Sequence, residues 1–133
     1  MKQTFVSGLF LAALCLPATA GFAAQEERER NLEAVHCVRI QNIRDIDIVN
    51  DRTLVFRMRN GDVYRNDLPR RCPGLDRRDP LMYRTSVGQL CSVDIITVLE
   101  DWGFGFAPGV SCGLGMFEPI TPEIADELLR EEG

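Results

Sequence analysis

Cysteine is the side chain in this sequence with the widest chemistry, because its thiolate can act as a nucleophile, bind a metal ion or form a disulfide. One of the five cysteines, Cys15, lies in an apolar run near the start, and four stand singly further on, at Cys37, Cys72, Cys91 and Cys112. The intervals between these four are 35, 19 and 21 residues, with no CxxC pair. Thioredoxin-type redox pairs and zinc sites both use closely spaced ligands, so we predict neither, and no cofactor.

Cys72 lies in the turn-forming stretch RRCPGLDRRDP, between two pairs of arginines. Positive neighbours favour the thiolate, which makes the thiol reactive but also easy to oxidise. We interpret Cys72 as half of a disulfide and the arginines as solvated loop charges. Four cysteines allow three pairings, and the sequence does not decide among them. The pairing that we favour joins Cys72 to Cys91 and Cys37 to Cys112.

The first twenty residues have the pattern of a cleaved export signal. Lys2 precedes a mostly apolar run from Phe5 to Leu16, and Ala18-Thr19-Ala20 offers small residues where a signal peptidase cuts. The apolar run is too short for a membrane span. We therefore predict a signal peptide over 1–20, a charged tether over 21–34 and a single domain over 35–133, with no transmembrane segment after cleavage. The predicted compartment is the periplasm, with secretion as the alternative, and oxidation there favours two disulfides.

Six arginines are candidates for binding an anion such as phosphate, sulfate or a carboxylate, because guanidinium groups match the geometry of these oxyanions. They are Arg57, Arg65, Arg70, Arg71, Arg77 and Arg78. Asp67, Asp76 and Asp79 are interleaved with them and would cancel much of the field. We therefore keep an anion site as the weaker interpretation.

Charge is distributed unevenly along the chain, whose formal net charge is −5. Residues 28–84 contain thirteen arginines against nine acids, a net of +4, whereas residues 85–133 contain one arginine against nine acids, a net of −8. We expect the two halves to pair across the fold, and the alternative is an interaction surface. The overall acidity argues against a nucleic-acid partner.

Few other residues suggest catalysis. Asp94 lies in the apolar stretch SVDIIT, where a buried acid can act as a general base. We favour a structural role for it, with Arg84 as a partner. His36 is the only histidine and is expected at the surface, and no GxSxG or Walker motif is present. We predict no catalytic residue and no metal site.

Apolar residues at every second position predict antiparallel strands from Val35 to Tyr64. At the Asn60-Gly61 turn we expect a three-residue loop with Gly61 in the left-handed region, which pairs Phe56 with Tyr64. This register leaves Arg57 and Arg65 in water. The predicted fold is mainly β, a small antiparallel meander or partly open barrel of five to seven strands, with two disulfides and one C-terminal helix.

The second half is harder to interpret. The apolar run from Leu90 to Leu99 predicts one central or bent strand, with a buried helix as the alternative. Residues 101–115 contain five glycines and predict a long surface loop. Its three aromatic residues are expected to cover one end of the barrel rather than form an exposed platform for sugars or a partner: Trp102, Phe104 and Phe106. A short closing strand is expected over 116–120.

Thr121-Pro122-Glu123 predicts the start of the C-terminal helix, because threonine caps, proline suits the first helical position and glutamate complements the positive end. We expect this helix to end near Arg130. Its apolar face is predicted to consist of Ile124, Leu128 and Leu129.

The cysteine framework, together with the segments CVRI, DRTLVFRMRNGDVYRNDLP, RCPGL, YRTS, LCSVDIITVL and CGLGMF, resembles a family of small exported bacterial proteins known as domain of unknown function 6491. The resemblance runs from about Cys37 to Ile120. It implies an exported, disulfide-containing β domain and supplies no catalytic residue. We expect a non-enzymatic structural or binding module with an envelope protein or an anionic ligand as partner. The alternative is an enzyme, or an enzyme inhibitor, acting on an envelope component.

Overall fold

The fold is mainly β, as predicted, and ends in a helix. The computed structural model describes residues 33–85 and 87–132, and within these ranges it has nine strands and one α-helix. The elements are β1 (Cys37–Arg39), β2 (Ile43–Ile48), β3 (Thr53–Met58), β4 (Val63–Asp67), β5 (Leu81–Tyr83), β6 (Gln89–Cys91), β7 (Ile95–Asp101), β8 (Phe106–Gly113), β9 (Phe117–Ile120) and α1 (Pro122–Glu131). The strands form three antiparallel sheets in the orders β2-β3-β4-β9, β5-β7-β8 and β1-β6.

The hairpin between β3 and β4 has the predicted register. Phe56 lies opposite Tyr64, and Gly61 adopts a φ of 94° in the connecting turn. Phe117 of β9 contacts both rings edge-on, with centroid distances of 5.1 Å to Phe56 and 6.4 Å to Tyr64. The register therefore places an aromatic cluster across β3, β4 and β9 of the largest sheet.

The two faces of β3 enter two different clusters. Leu54, Phe56 and Met58 belong to the main core, whereas Val55 packs on the opposite face with Ala125 of α1. The helix begins where predicted, since the Thr121 hydroxyl accepts a hydrogen bond from the Ile124 N–H at 3.3 Å. Of its predicted apolar face, Leu128 and Leu129 are half-buried. Ile124 is 44% exposed, so that part of the prediction is wrong.

The apolar run from Leu90 to Leu99 is not one strand. A turn at residues 92–94 separates β6 from β7, because the Asp94 N–H donates to the Cys91 carbonyl at 2.9 Å while its carboxylate accepts from the Cys91 N–H at 2.7 Å. The two strands then join different sheets, β6 beside β1 and β7 between β5 and β8. The run is apolar on both faces because its two parts pack in different sheets. Its division into two strands also helps to raise the strand count above the predicted five to seven.

The predicted glycine-rich loop over 101–115 is also wrong. Residues 106–113 form β8, which pairs with β7 through an irregularity between Thr97 and Leu99. Only residues 102–105 remain as a turn between the two strands. Pro108 is accommodated because β8 is an edge strand, where a missing backbone N–H does not break the sheet.

Two disulfides are present, as predicted, but their pairing differs from the one we favoured. Cys37 is bonded to Cys91 and Cys72 to Cys112. Because β1 pairs with β6, Cys37 lies directly opposite Cys91, and their Cα atoms are 4.0 Å apart. Cys72 is fully buried and bonds across to β8, with a Cα separation of 5.8 Å.

Residues 1–32 lie outside the described ranges, and with them the predicted signal peptide and most of the predicted tether. Cleavage after Ala20 therefore stays a prediction. Within residues 33–85 and 87–132, no helix combines the length and the apolar character needed to cross a membrane.

Candidate functional site

Arg57 does not stand in water as the hairpin register led us to expect. Its side chain is 17% exposed, and it lies between two carboxylates, with Nε 2.7 Å from Asp47 and Nη2 2.7 Å from Asp126 of α1. The hydrogen bond to Asp47, and then that to Asp126, raise the pKa of the Arg57 guanidinium above its usual value. Arg57 thus fastens the helix to the sheet and has little capacity left for a ligand.

Three more of the six candidate arginines are engaged by acceptors of this chain. Arg65 lies 2.9 Å from Asp67, and Arg71 pairs with Asp51. Arg77 donates to the Leu129 carbonyl at 2.8 Å, near the end of α1. Arg70 and Arg78 are exposed. Because four of the six guanidinium groups already have partners, the structure offers little support for an anion site built from the whole set.

The negative half of the chain is left largely without positive partners. Of the five ion pairs among the described residues, only Arg57–Asp126 joins the first half to the second. The expected pairing of the two halves is therefore confined to this one contact. The exposed acids of the second half are Glu100, Asp101, Glu118, Glu123, Asp126, Glu127, Glu131 and Glu132.

Asp94 is half-buried rather than buried, and its carboxylate is used by the turn that it forms with Cys91. It lines a shallow depression of about 320 Å³ together with Arg84, but the ion pairs of the described residues do not include the expected Arg84–Asp94 contact. His36 is exposed, as expected, with Nδ1 3.3 Å from the Ser92 hydroxyl. Across residues 33–85 and 87–132, no three His, Cys, Asp or Glu side chains are grouped to hold a metal ion.

The most unusual surface consists of the turn between β7 and β8 and the first residue of β8, which together we call the aromatic tip (residues 102–106). Trp102, Phe104 and Phe106 are 67%, 105% and 61% exposed, so the expectation that they cover one end of a barrel is wrong. Isolated apolar residues are common on protein surfaces, but three large aromatic side chains within five residues are not. Such a group is typical of a contact surface.

The aromatic tip protrudes from its sheet. Strand β5 accompanies β7 only as far as the hydrogen bond from the Leu99 N–H to the Pro80 carbonyl, at 2.9 Å. Beyond this point Glu100 pairs with Ala107 and Asp101 with Phe106, as a ribbon of two strands. The aromatic tip thus lies at the end of a narrow, convex projection.

Two hydrogen bonds, one of them to a side chain, stabilise the turn of the aromatic tip. The Trp102 N–H donates to the Gly105 carbonyl at 3.1 Å, and the Gly103 N–H donates to the Asp101 carboxylate at 2.8 Å. Gly103 and Gly105 have φ values of 78° and 131°, which other residues rarely adopt. Because the glycines make the turn, the aromatic side chains between and beside them point outward without strain.

Apolar side chains also occur on the outer face of the β5-β7-β8 sheet, but polar ones separate them. Residues directly opposite each other in a sheet share a face, and β7 side chains alternate between faces. Ile96 and Val98 point into the core, so the outer face includes the apolar residues Met82, Ile95, Leu99, Phe106 and Pro108. It also includes Asp101 and the hydroxyls of Thr97 and Ser111, which lie 2.9 Å apart. Ile95 is 56% exposed. The contact surface is therefore best defined by the aromatic tip itself.

No family model, no curated protein and no solved structure matches the chain. The resemblance to the exported family named above stays a prediction.

Proposed function

We propose that this protein is an exported, non-enzymatic binding module of the bacterial periplasm that docks through its aromatic tip. The observation that carries the proposal is Phe104, whose side chain is fully exposed at the end of a hydrogen-bonded hairpin. Leaving the fully exposed Phe104 in water forgoes roughly 1.5–3 kcal/mol of burial, and the partly exposed Trp102 and Phe106 add to this. A partner that covers them recovers this free energy, and a tip that is already ordered loses little entropy on binding.

Export is supported by the signal-peptide pattern over residues 1–20 and by the two disulfides, which persist in oxidising compartments. The resemblance to a family of exported proteins agrees with it. Enzymatic activity on an envelope component is the alternative, and it would use the depression beside Arg84 and Asp94. We prefer the binding module because Asp94 already serves the turn before β7.

The test is chemical crosslinking of the full chain in its own cells, comparing wild type with Phe104→Ala. Ile124→Ala is the matched control, because Ile124 is also an exposed apolar residue but lies on α1. We expect wild type and Ile124→Ala to capture the same neighbour and Phe104→Ala to lose it. Equal capture by all three proteins would contradict docking through the aromatic tip.

A further inference from the structure

We propose that the aromatic tip inserts into an apolar pocket of another envelope protein, and that basic side chains border this pocket. The inference rests on the proposed function and adds the chemistry of the partner.

The shape of the projection favours a concave protein surface. Beyond Leu99 the chain is a two-stranded ribbon that ends in Trp102 and Phe104, both exposed. Aromatic anchors that fill pockets on a partner typically dominate the free energy of protein–protein binding. A narrow convex tip fits such a pocket better than it fits a flat surface.

The charges near the aromatic tip indicate which side chains border the partner's pocket. From β7 through the aromatic tip to the end of β8, residues 95–113 contain two acids, Glu100 and Asp101, and no arginine, lysine or histidine. Both acids are exposed at the base of the aromatic tip. Segments that insert into anionic membranes combine aromatic residues with basic ones, which are absent here. Two carboxylates beside an apolar tip instead complement lysine or arginine at the rim of a protein pocket.

Trp102 also favours basic side chains at the border of the partner's pocket. It is 67% exposed, so a cation at the border of the pocket can lie over its indole ring. Such a cation–π contact stabilises a complex.

The experiment uses the full chain in its own cells, with the photoreactive residue benzoylphenylalanine at position 104 and, as control, at position 124. After irradiation, mass spectrometry identifies what each position has bonded to. We expect a protein adduct at position 104 that is absent at position 124. We also expect its crosslinked peptide to lie beside lysine or arginine in the partner.

Charge variants then test whether basic side chains border the partner's pocket, which is a separate question from whether the aromatic tip contacts a partner. Glu100→Arg is expected to lower the adduct yield at position 104 about tenfold, since like charges across an interface are strongly unfavourable. Glu100→Gln should have a smaller effect, and Glu127→Arg, at an exposed position on α1, should have none. Asp101 is left unchanged because its carboxylate holds the Gly103 N–H. Circular dichroism of each purified variant verifies that it has folded.

An adduct with lipid, an adduct with a second copy of this chain, or a protein adduct that Glu100→Arg leaves unchanged would each overturn the inference while leaving the aromatic tip as the contact surface. No adduct at position 104, or the same adducts at positions 104 and 124, would overturn the proposed function as well.

Discussion

Cys72 is bonded to Cys112, so a buried residue of the proline- and glycine-containing loop after β4 is fixed to the outermost strand of the β5-β7-β8 sheet. The Cys72 N–H also donates to the Asp51 carbonyl at 2.8 Å, in the turn between β2 and β3. A single residue, through its side chain and its backbone N–H, thus links the edge strand β8, which leads from the aromatic tip, to the turn between β2 and β3. The bond therefore anchors the end of β8 that lies away from the aromatic tip, where Cys112 is opposite Ile96 of β7.

Replacing this cystine with Cys72→Ser/Cys112→Ser should lower the free energy of unfolding by about 4 kcal/mol, since the bond closes a loop with a sequence separation of 40 residues. Denaturant unfolding measures the change. Cys37→Ser/Cys91→Ser is the matched comparison, with a separation of 54 and a similar expected loss. A double variant as stable as wild type would contradict a structural role for the bond.

Gly115→Ala should destabilise the protein by at least about 2 kcal/mol. A Cβ at this position would lie far inside contact distance of the Asp67 carbonyl oxygen. The buried Asn66 side chain both donates to the Gly115 carbonyl and accepts from its N–H, each at 2.8 Å, and would lose these bonds if the backbones moved apart. Gly113→Ala is the control, because the space around its Cβ is open, and it should change stability by less than about 0.5 kcal/mol. Equal effects at the two glycines would be the contrary result.

The parts of the fold that the sequence predicted are those set by local chemistry. The Asn60-Gly61 turn fixed the register that pairs Phe56 with Tyr64, and the Thr121 cap fixed the start of α1. These features depend on positive φ and on a side chain a few residues away, both of which can be inferred from the local sequence.

The parts that the sequence did not predict depend on which strands are neighbours. The pairing of Cys37 with Cys91 follows from β1 lying beside β6, and no local signal specifies that neighbour. Arg57 was expected in water because the helix that brings Asp126 to it is distant in sequence.

The aromatic tip was mispredicted because glycine content was taken to mean a long loop. The informative signal was the alternation in WGFGF, which places glycines where a tight turn needs them and leaves each aromatic side chain outside it.

Tyr64→Phe should reduce the loss of stability that occurs at alkaline pH. Burial raises the pKa of the Tyr64 phenol above its usual value of 10.0, and the charge of Asp62 adds to the shift. A phenol whose pKa is higher in the folded chain than in the unfolded chain stabilises the fold at pH values below its pKa in the unfolded chain. This contribution is lost as the pH rises through its pKa in the folded chain. The melting temperature of wild type should therefore fall more steeply than that of Tyr64→Phe above about pH 10. The control is the same comparison at pH 7, where the phenol is neutral in both the folded and the unfolded chain. Parallel curves of melting temperature against pH for the two proteins would contradict the raised pKa of Tyr64.

Phe104→Ala should leave the free energy of unfolding within about 0.5 kcal/mol of wild type, since its side chain is fully exposed. Phe117→Ala, which removes a fully buried ring in contact with Phe56, should cost about 3–5 kcal/mol. Thermal or denaturant unfolding of the two variants measures the contrast. A large loss at position 104 would mean that the aromatic tip supports the fold rather than a partner.

Trp102 is the only tryptophan in the sequence, so it reports on the aromatic tip alone. The most direct measurement is fluorine NMR of the protein labelled with 5-fluorotryptophan, recorded in isolation and after addition of an envelope extract from its own cells. We predict one sharp resonance that shifts between H₂O and D₂O in isolation. In the extract it should broaden and lose that solvent shift, and Phe104→Ala should prevent the change. A resonance that is shielded from solvent in the isolated protein, or one that the extract leaves unchanged, would contradict docking through the aromatic tip.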